Sequence, residues 1–277
     1  MVANMDKTSG VFSGTASSGV AAWATAADGQ QIRYDTFGVG RQVLVFVHGG
    51  MCDRTYWAAQ TAALPTEYCA ITLDLPGHGE SGRSRTLWSI EGFGDDVART
   101  VRAAGADHVV LIGHSMGALV VIEAARRLGS SVVGVLVVDF LHQPNFKPPR
   151  PPPPPDQEAL KAAMRKGMFL PNSDPAIQTR IIEAMTSAPR EIAMAIRQAS
   201  ESYDAPAGLR AIAAIPLAMI GSQIRPFDAG DIRSLHHGAR IYIVPTAGHF
   251  LMIEEPAIFN ALLRSEAMIM AGEVKLL

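Results

Sequence analysis

Gly113-His114-Ser115-Met116-Gly117 stands between two stretches of opposite character. Before it runs His108-Val-Val-Leu-Ile112, short, apolar and rich in β-branched residues. After it runs Ala118 to Leu128, of helix-forming composition, with Gly129 as a stop. The pentapeptide therefore sits where a strand hands over to a helix. That context separates a G-x-S-x-G turn carrying a nucleophile from an ordinary surface turn. A sharp turn at this place forces Ser115 into a strained backbone conformation. Glycines two before and two after it remove Cβ atoms that would collide. The hydroxyl is then pushed out at the carboxyl end of the strand, above the helix N-terminus. The backbone N–H of Met116 is free there to stabilise negative charge.

Working outward, the flanking segments repeat the same alternation. Val20 to Ala27, Asp28-Gly29 and Gln30 to Phe37 read as a β-hairpin. Gln42 to Val47 is almost wholly apolar, which suits a central strand buried on both faces. It ends in His48-Gly49-Gly50-Met51, whose backbone amides can approach a substrate oxygen closely; a plain tight turn is the alternative. Arg54 to Ala63 predicts a short helix, Ala70 to Leu73 a strand, and Ser89 to Ala104 a helix capped by Ser89. Asp74 and His78 lie in the glycine-rich loop Asp74 to Gly82, where side-chain hydrogen bonds hold the loop's shape. Val132 to Val138 is another buried-strand pattern and ends in Asp139. Pro216 to Ile220 and Arg240 to Val244 are later strands, with a helix at Asp228 to Leu235 and a closing helix at Pro256 to Met268. Strands alternating with helices predict an α/β fold with a mostly parallel central sheet flanked by helices on both faces.

One region breaks the alternation. Gln143 to Pro155 holds eight prolines, five of them consecutive, which excludes helix and central strand. The run reads as a stiff entry into an insertion; a docking ligand for another protein is the alternative. From Asp156 to about Tyr203 the pattern is helical: Leu160, Met164 and Met168 recur at one spacing, as do Ile177, Ile181 and Met185, while Ile192 pairs with Ile196. The division expected is a disordered lead at 1–19, a core at 20–141 and 206–277, and a proline-rich linker plus helical cap at 142–205. A cap underside of Met and Ile gives an apolar, adaptable roof, so Met164 and Met168, with Met51, are candidate substrate contacts.

Composition narrows the function classes. In 277 residues, 48% are hydrophobic and 18% charged, enough for a large core. The net charge of −2 and the lack of a basic stripe argue against nucleic acid or an anionic membrane as partner. No apolar run approaches the ~18 residues needed to span a bilayer. The N-terminus lacks the basic and apolar regions of a secretory signal. Two cysteines, Cys52 and Cys69, make no disulfide framework and are read as free thiols in a reducing cytoplasm. His236 and His237 point apart on a helix and have no acidic set beside them, so no metal is expected. The partner expected is a small-molecule substrate, with no cofactor; oligomeric state is not legible.

The chemistry assembles from distant residues. A serine hydroxyl needs a base near neutral pKa, and that base needs a carboxylate to hold its tautomer. Ser115, Asp139 and His249 each stand at the carboxyl end of a predicted strand or in the loop after one. In an open parallel sheet those ends share one crevice.

The order Ser…Asp…His, the His48-Gly49-Gly50 turn, Asp74-Leu-Pro-Gly-His-Gly-Glu-Ser-Gly82, Gly-His-Ser-Met-Gly117 and Ala-Gly-His249-Phe-Leu-Met together resemble the α/β-hydrolase superfamily. The resemblance runs from about Val20 to the end, the cap excepted. It implies Ser115 as nucleophile and His249 as general base and then acid. It implies an oxyanion hole of the Met116 and Gly50 amides, with Met51 a competing donor. Many members carry the acid after the penultimate strand, but here that stretch reads Gly221-Ser-Gln-Ile-Arg-Pro226, without a carboxylate. Asp139 matches an alternative position used by some members; Asp228, then Asp231, are the fallbacks. Arg225 stands near the usual acid position and is a candidate to pair with Asp139 or bind a substrate carboxylate. The activity implied is hydrolysis of a small or medium apolar ester or lactone through an acyl-enzyme. Carbon–carbon bond hydrolysis, cofactor-free perhydrolysis and a hydrolase-like receptor are the alternatives. The serine at 115 argues against epoxide hydrolases and haloalkane dehalogenases, which place an aspartate there.

Overall fold

An eight-stranded sheet forms the centre of the chain, in the spatial order β1-β2-β4-β3-β5-β6-β7-β8. The strands are β1 (Val20–Thr25), β2 (Gln31–Gly38), β3 (Gln42–Val47), β4 (Tyr68–Leu73), β5 (Val109–His114), β6 (Val132–Val138), β7 (Leu217–Ser222) and β8 (Arg240–Val244). This is a computed structural model, and it describes residues 19–139, 154, 156–224 and 229–272. Residues 1–18 of the lead expected at 1–19, nearly all of the proline run, and the candidates Arg225 and Asp228 lie outside the described residues.

β1 pairs antiparallel with β2, and β2 with β4; all other pairings are parallel. The hairpin closes over Asp28-Gly29, with Gly29 at φ 82° and Asp28 Oδ1 accepting from the Gln30 amide at 3.1 Å. β3 and β5 are apolar and buried along nearly their whole length, as central strands covered on both faces must be.

Helices cover the two faces. On one lie α2 (Ile90–Ala103), α3 (Met116–Leu128), α7 (Ala205–Ala211) and α8 (Ala229–Leu235). On the other lie α1 (Ala58–Ala62), α9 (Leu251–Glu254) and α10 (Pro256–Met270). The helix expected over Arg54 to Ala63 is split: a 3-10 turn at Arg54–Trp57 precedes α1. Asp53, whose side chain accepts the Thr55 amide, starts that tighter turn. Ser89 caps α2 as its sequence predicts, accepting the Gly92 amide at 3.0 Å.

From residue 156 to α7 the chain holds three helices: α4 (Gln157–Met168), α5 (Pro175–Thr186) and α6 (Arg190–Ser202). Asp156 caps α4 and Asp174 caps α5, each accepting a backbone amide at 2.7 Å, with Pro175 opening α5. Several strand ends differ from their sequence pattern. β4 starts at Tyr68, two residues early. β7 runs on through Gly221 and Ser222 because both pair with β8. Those two residues have poor strand propensity, so the parallel neighbour and not local preference extends the strand. The extension matters, because Ser222 reaches the site.

Candidate active site

The sheet places four segment ends side by side. β3 ends in the His48–Met51 turn, β5 in Ser115, β6 in Asp139 and β7 at Ser222, and each strand is hydrogen-bonded to the next. β4 lies on one side of β3 and β5 on the other, so the chain reverses its direction of winding there, where a crevice opens.

Ser115 occupies the turn at φ 55°, ψ −114°, and its amide donates to the Val138 carbonyl at 2.9 Å. The glycines around it are required by contact. A Cβ at Gly113 would lie 2.2 Å from the Gly117 carbonyl oxygen. One at Gly117 would lie 2.5 Å from the His48 carbonyl oxygen. Both approaches are far inside van der Waals distance, so the elbow can close only with glycine at both places.

The glycine turn after β3 meets this elbow. A Cβ at Gly49 would fall 3.2 Å from Ser115 Cβ, and one at Gly50 would fall 3.8 Å from the Met116 sulfur. Met51 has φ 59°, and the Cys52 amide donates to the Gly49 carbonyl, closing a tight turn. Among the described residues the amides of Gly50, Met51 and Met116 make no hydrogen bond. His48 fixes the turn from behind. Its Nε2 accepts the Leu75 amide at 3.0 Å, so Nδ1 carries the proton and donates to the Gly49 carbonyl at 2.8 Å. Burial lowers its pKa, so this ring stays neutral.

Asp139 meets His249 directly. Asp139 Oδ2 accepts from His249 Nδ1, and Oδ1 accepts the Ser222 amide at 2.8 Å. Both side chains are buried. Burial pushes the Asp139 carboxyl up. The hydrogen bond and charge of His249, helped by Ser222, outweigh that and hold it below the ordinary carboxylate range. A proton held on Nδ1 by a carboxylate leaves Nε2 as the basic nitrogen of the ring. Asp231 lies in the first turn of α8.

The His249 backbone is held on both sides. Its amide donates to the Met168 carbonyl at 2.7 Å, and its carbonyl accepts from His114 Nε2 at 2.8 Å. Neither partnership was visible as a pattern, since each joins residues far apart in the chain. Met164 and Met168 pack against the core cluster that contains Phe169 and Phe250. Met51 packs against the other cluster, with Ile196 and Met116. Ile196, on α6, lies 3.8 Å from a Cβ placed on Gly50. The i, i+4 pair Ile192 and Ile196 was the sequence signal for that contact.

Asp74 and His78 act on the scaffold, as their loop predicts. Asp74 Oδ1 accepts the Arg54 amide at 2.7 Å, and Oδ2 accepts the Arg54 guanidinium at 2.6 Å and the Glu80 amide at 2.9 Å. His78 Nδ1 binds the Pro76 carbonyl at 3.1 Å. Among the described residues no cluster of three metal-binding side chains occurs, and no helix is long and apolar enough to cross a membrane.

Comparison with known proteins agrees with this architecture. The family model described as "Alpha/beta hydrolase family" matches residues 44–262. A dihydrolipoyllysine-residue acetyltransferase component of an acetoin cleaving system from Cupriavidus necator is 34% identical over 40% of this chain and 30% of that protein. The chain spans about a third of the length of the first curated relatives it matches. Among solved structures, a thermophilic esterase from Thermogutta terrifontis superposes with a TM-score of 0.77 at 23% identity, covering 91% of this chain and 99% of that one. The enol-lactonase from Burkholderia xenovorans LB400 gives a TM-score of 0.77 at 20% identity, covering 88% and 99%. The chain belongs to the α/β hydrolase family.

Proposed function

We propose that this α/β hydrolase is a serine hydrolase that cleaves a small or medium apolar carboxylic ester or lactone through an acyl-enzyme. The observation that carries the reading is the buried hydrogen bond from His249 Nδ1 to Asp139 Oδ2, at strand ends that converge on the Ser115 elbow. In this reading Ser115 Oγ attacks the carbonyl carbon as His249 Nε2 takes its proton. Asp139 holds the tautomer and stabilises the imidazolium. The oxyanion is received by the Met116 amide and by that of Gly50 or Met51, each donor being worth about 3 kcal/mol in systems of this kind. His249 then protonates the leaving alcohol, and water repeats the sequence in reverse roles to release the acid.

Ester and lactone are favoured over other acyl groups because a curated or solved relative's name says esterase or lactonase in several cases. An apolar substrate fits the Met51, Met116 and Ile196 surface beside the glycine turn. The test is steady-state hydrolysis of p-nitrophenyl acetate, butyrate and octanoate. Turnover abolished in Ser115→Ala supports the reading. Turnover retained in Ser115→Ala, or lacking in the wild-type chain, overturns it.

A further inference from the structure

The loop that carries His249 is gripped by the cap. His249 donates its amide to the Met168 carbonyl at the end of α4. The next ring, Phe250, stacks on Phe169 with centroids 5.7 Å apart and planes 21° from parallel. Glu254 joins the two segments a second time. Its Oε1 accepts the Phe250 amide at 3.2 Å, and its Oε2 accepts the Ser173 hydroxyl at 2.5 Å. Ser173 Oγ in turn accepts the Leu170 amide at 3.1 Å, and its carbonyl accepts from the Gln178 side chain at 2.9 Å. The 168–173 turn is therefore folded around Ser173 and fastened through Glu254 to the residues beside His249. Gly248 makes the closeness possible: a Cβ there would lie 2.5 Å from the Met168 carbonyl oxygen and 2.9 Å from Glu254 Oε1.

We infer that Glu254, acting through Ser173, is a positioning residue that makes the placement of His249 depend on the cap turn being seated. The inference rests on the serine-hydrolase reading for its effect on rate, but not for the latch itself. With the turn seated, the His249 peptide is fixed on both sides, by Met168 and by His114. When the turn lifts, the Met168 hydrogen bond and the Phe169 stack are lost together, and the imidazole keeps only its core partners. Cap seating thus completes the base, and a small displacement at a reacting group lowers rate steeply.

The test uses Ser173→Ala, Glu254→Ala, Glu254→Gln and the double variant Ser173→Ala/Glu254→Ala in the full chain. Amide hydrogen exchange at residues 248–250 reads the latch. Phosphorylation of Ser115 by diethyl p-nitrophenyl phosphate, which releases p-nitrophenol, together with kcat and KM for p-nitrophenyl acetate, reads the base. The expected result is faster exchange in both alanine variants, with kcat and phosphorylation about tenfold slower and KM within about twofold. The double variant is expected to be no slower than either single one, because both cut the same connection. Glu254→Gln loses the charge but keeps an acceptor for Phe250 and a polar group for Ser173, so it is expected within about threefold of wild type. Unchanged exchange in Ser173→Ala overturns the latch. Faster exchange with unchanged kcat overturns the positioning role. Losses that multiply in the double variant, or that fall on KM alone, also overturn it. A wild-type chain inert to both reagents overturns the serine-hydrolase reading, and the exchange measurement still decides the latch separately.

Discussion

Tyr203 donates its hydroxyl hydrogen to Glu123 Oε2 at 3.2 Å, joining the residue after the last cap helix to the helix that follows Ser115. Glu123 is buried and also binds Arg126 and Arg127. Tyr203 is buried as well, and the lack of a side chain at Gly208 leaves room for its ring: a Cβ there would lie 2.3 Å from the hydroxyl oxygen. Tyr203→Phe removes the hydrogen bond and leaves the packing, while the arginines still satisfy the carboxylate. The expected cost is about 1 kcal/mol, read as a lower urea midpoint with an unchanged slope. A loss under a few tenths of a kcal/mol contradicts this account.

Asp139→Asn keeps an oxygen for the Ser222 amide but presents an NH2 group to His249, or the reverse if it flips. The imidazole is then no longer held with its proton on Nδ1. Turnover of p-nitrophenyl acetate is expected to drop by about 10³–10⁴-fold, with circular dichroism unchanged. A loss below tenfold moves the acid elsewhere in the chain, and Asp228→Asn is the matching control.

His78 predicts a specific acid sensitivity. Its burial, with the nearby His48 adding to the effect, pushes its pKa from 6.5 down to about 3. Between those values the unfolded chain binds a proton at this position and the native protein does not. Stability therefore falls as pH falls below 6.5, with a slope approaching about 1.4 kcal/mol per pH unit from this group. His78→Gln keeps a donor for the Pro76 carbonyl and cannot titrate. Urea unfolding at pH 6.5 and 5 is expected to show a smaller loss in the variant than in wild type; equal losses mean the ring does not carry the effect.

Cys52 and Cys69 differ in reach. Cys52 is buried at the end of the glycine turn, its thiol pushed well above the ordinary range by burial and then by Asp53. Cys69 is half-buried, and burial raises it too. At pH 8, iodoacetamide followed by peptide mass analysis is expected to label Cys69 first. Cys52 should react only as fast as the protein opens. Rapid labelling of Cys52 in the native chain contradicts its placement.

The sequence was most informative where a single position had to do one thing. Glycines 113 and 117 could be read as an elbow because no other residue allows that approach, and Ser89 could be read as a cap because its hydrogen bond is local. The apolar runs at β3, β5 and β6 gave their strands through composition alone. What stayed illegible depends on tertiary approach. The extension of β7 to Ser222 follows from its neighbour β8, against local propensity. The hydrogen bonds from His114 to the His249 carbonyl and from His249 to the Met168 carbonyl join residues separated by more than eighty positions, and no periodicity reports them. The methionine stripe of α4 could be recognised as apolar, but not which cluster it packs against.

Of the four described non-glycine residues with positive φ, three are Met51, Ser115 and Asp139, at φ 59°, 55° and 46°. A side chain in that region costs on the order of 1 kcal/mol or more, and glycine relieves the cost. On the serine-hydrolase reading, folding and reactivity therefore pull in opposite directions at Ser115. Random mutagenesis selected for heat resistance alone should accept glycine at 115 and, on the serine-hydrolase reading, yield a hardier, inert protein. A thermostabilising campaign on this chain has to be screened on turnover from its first round, or it will converge on the erasure of its own site.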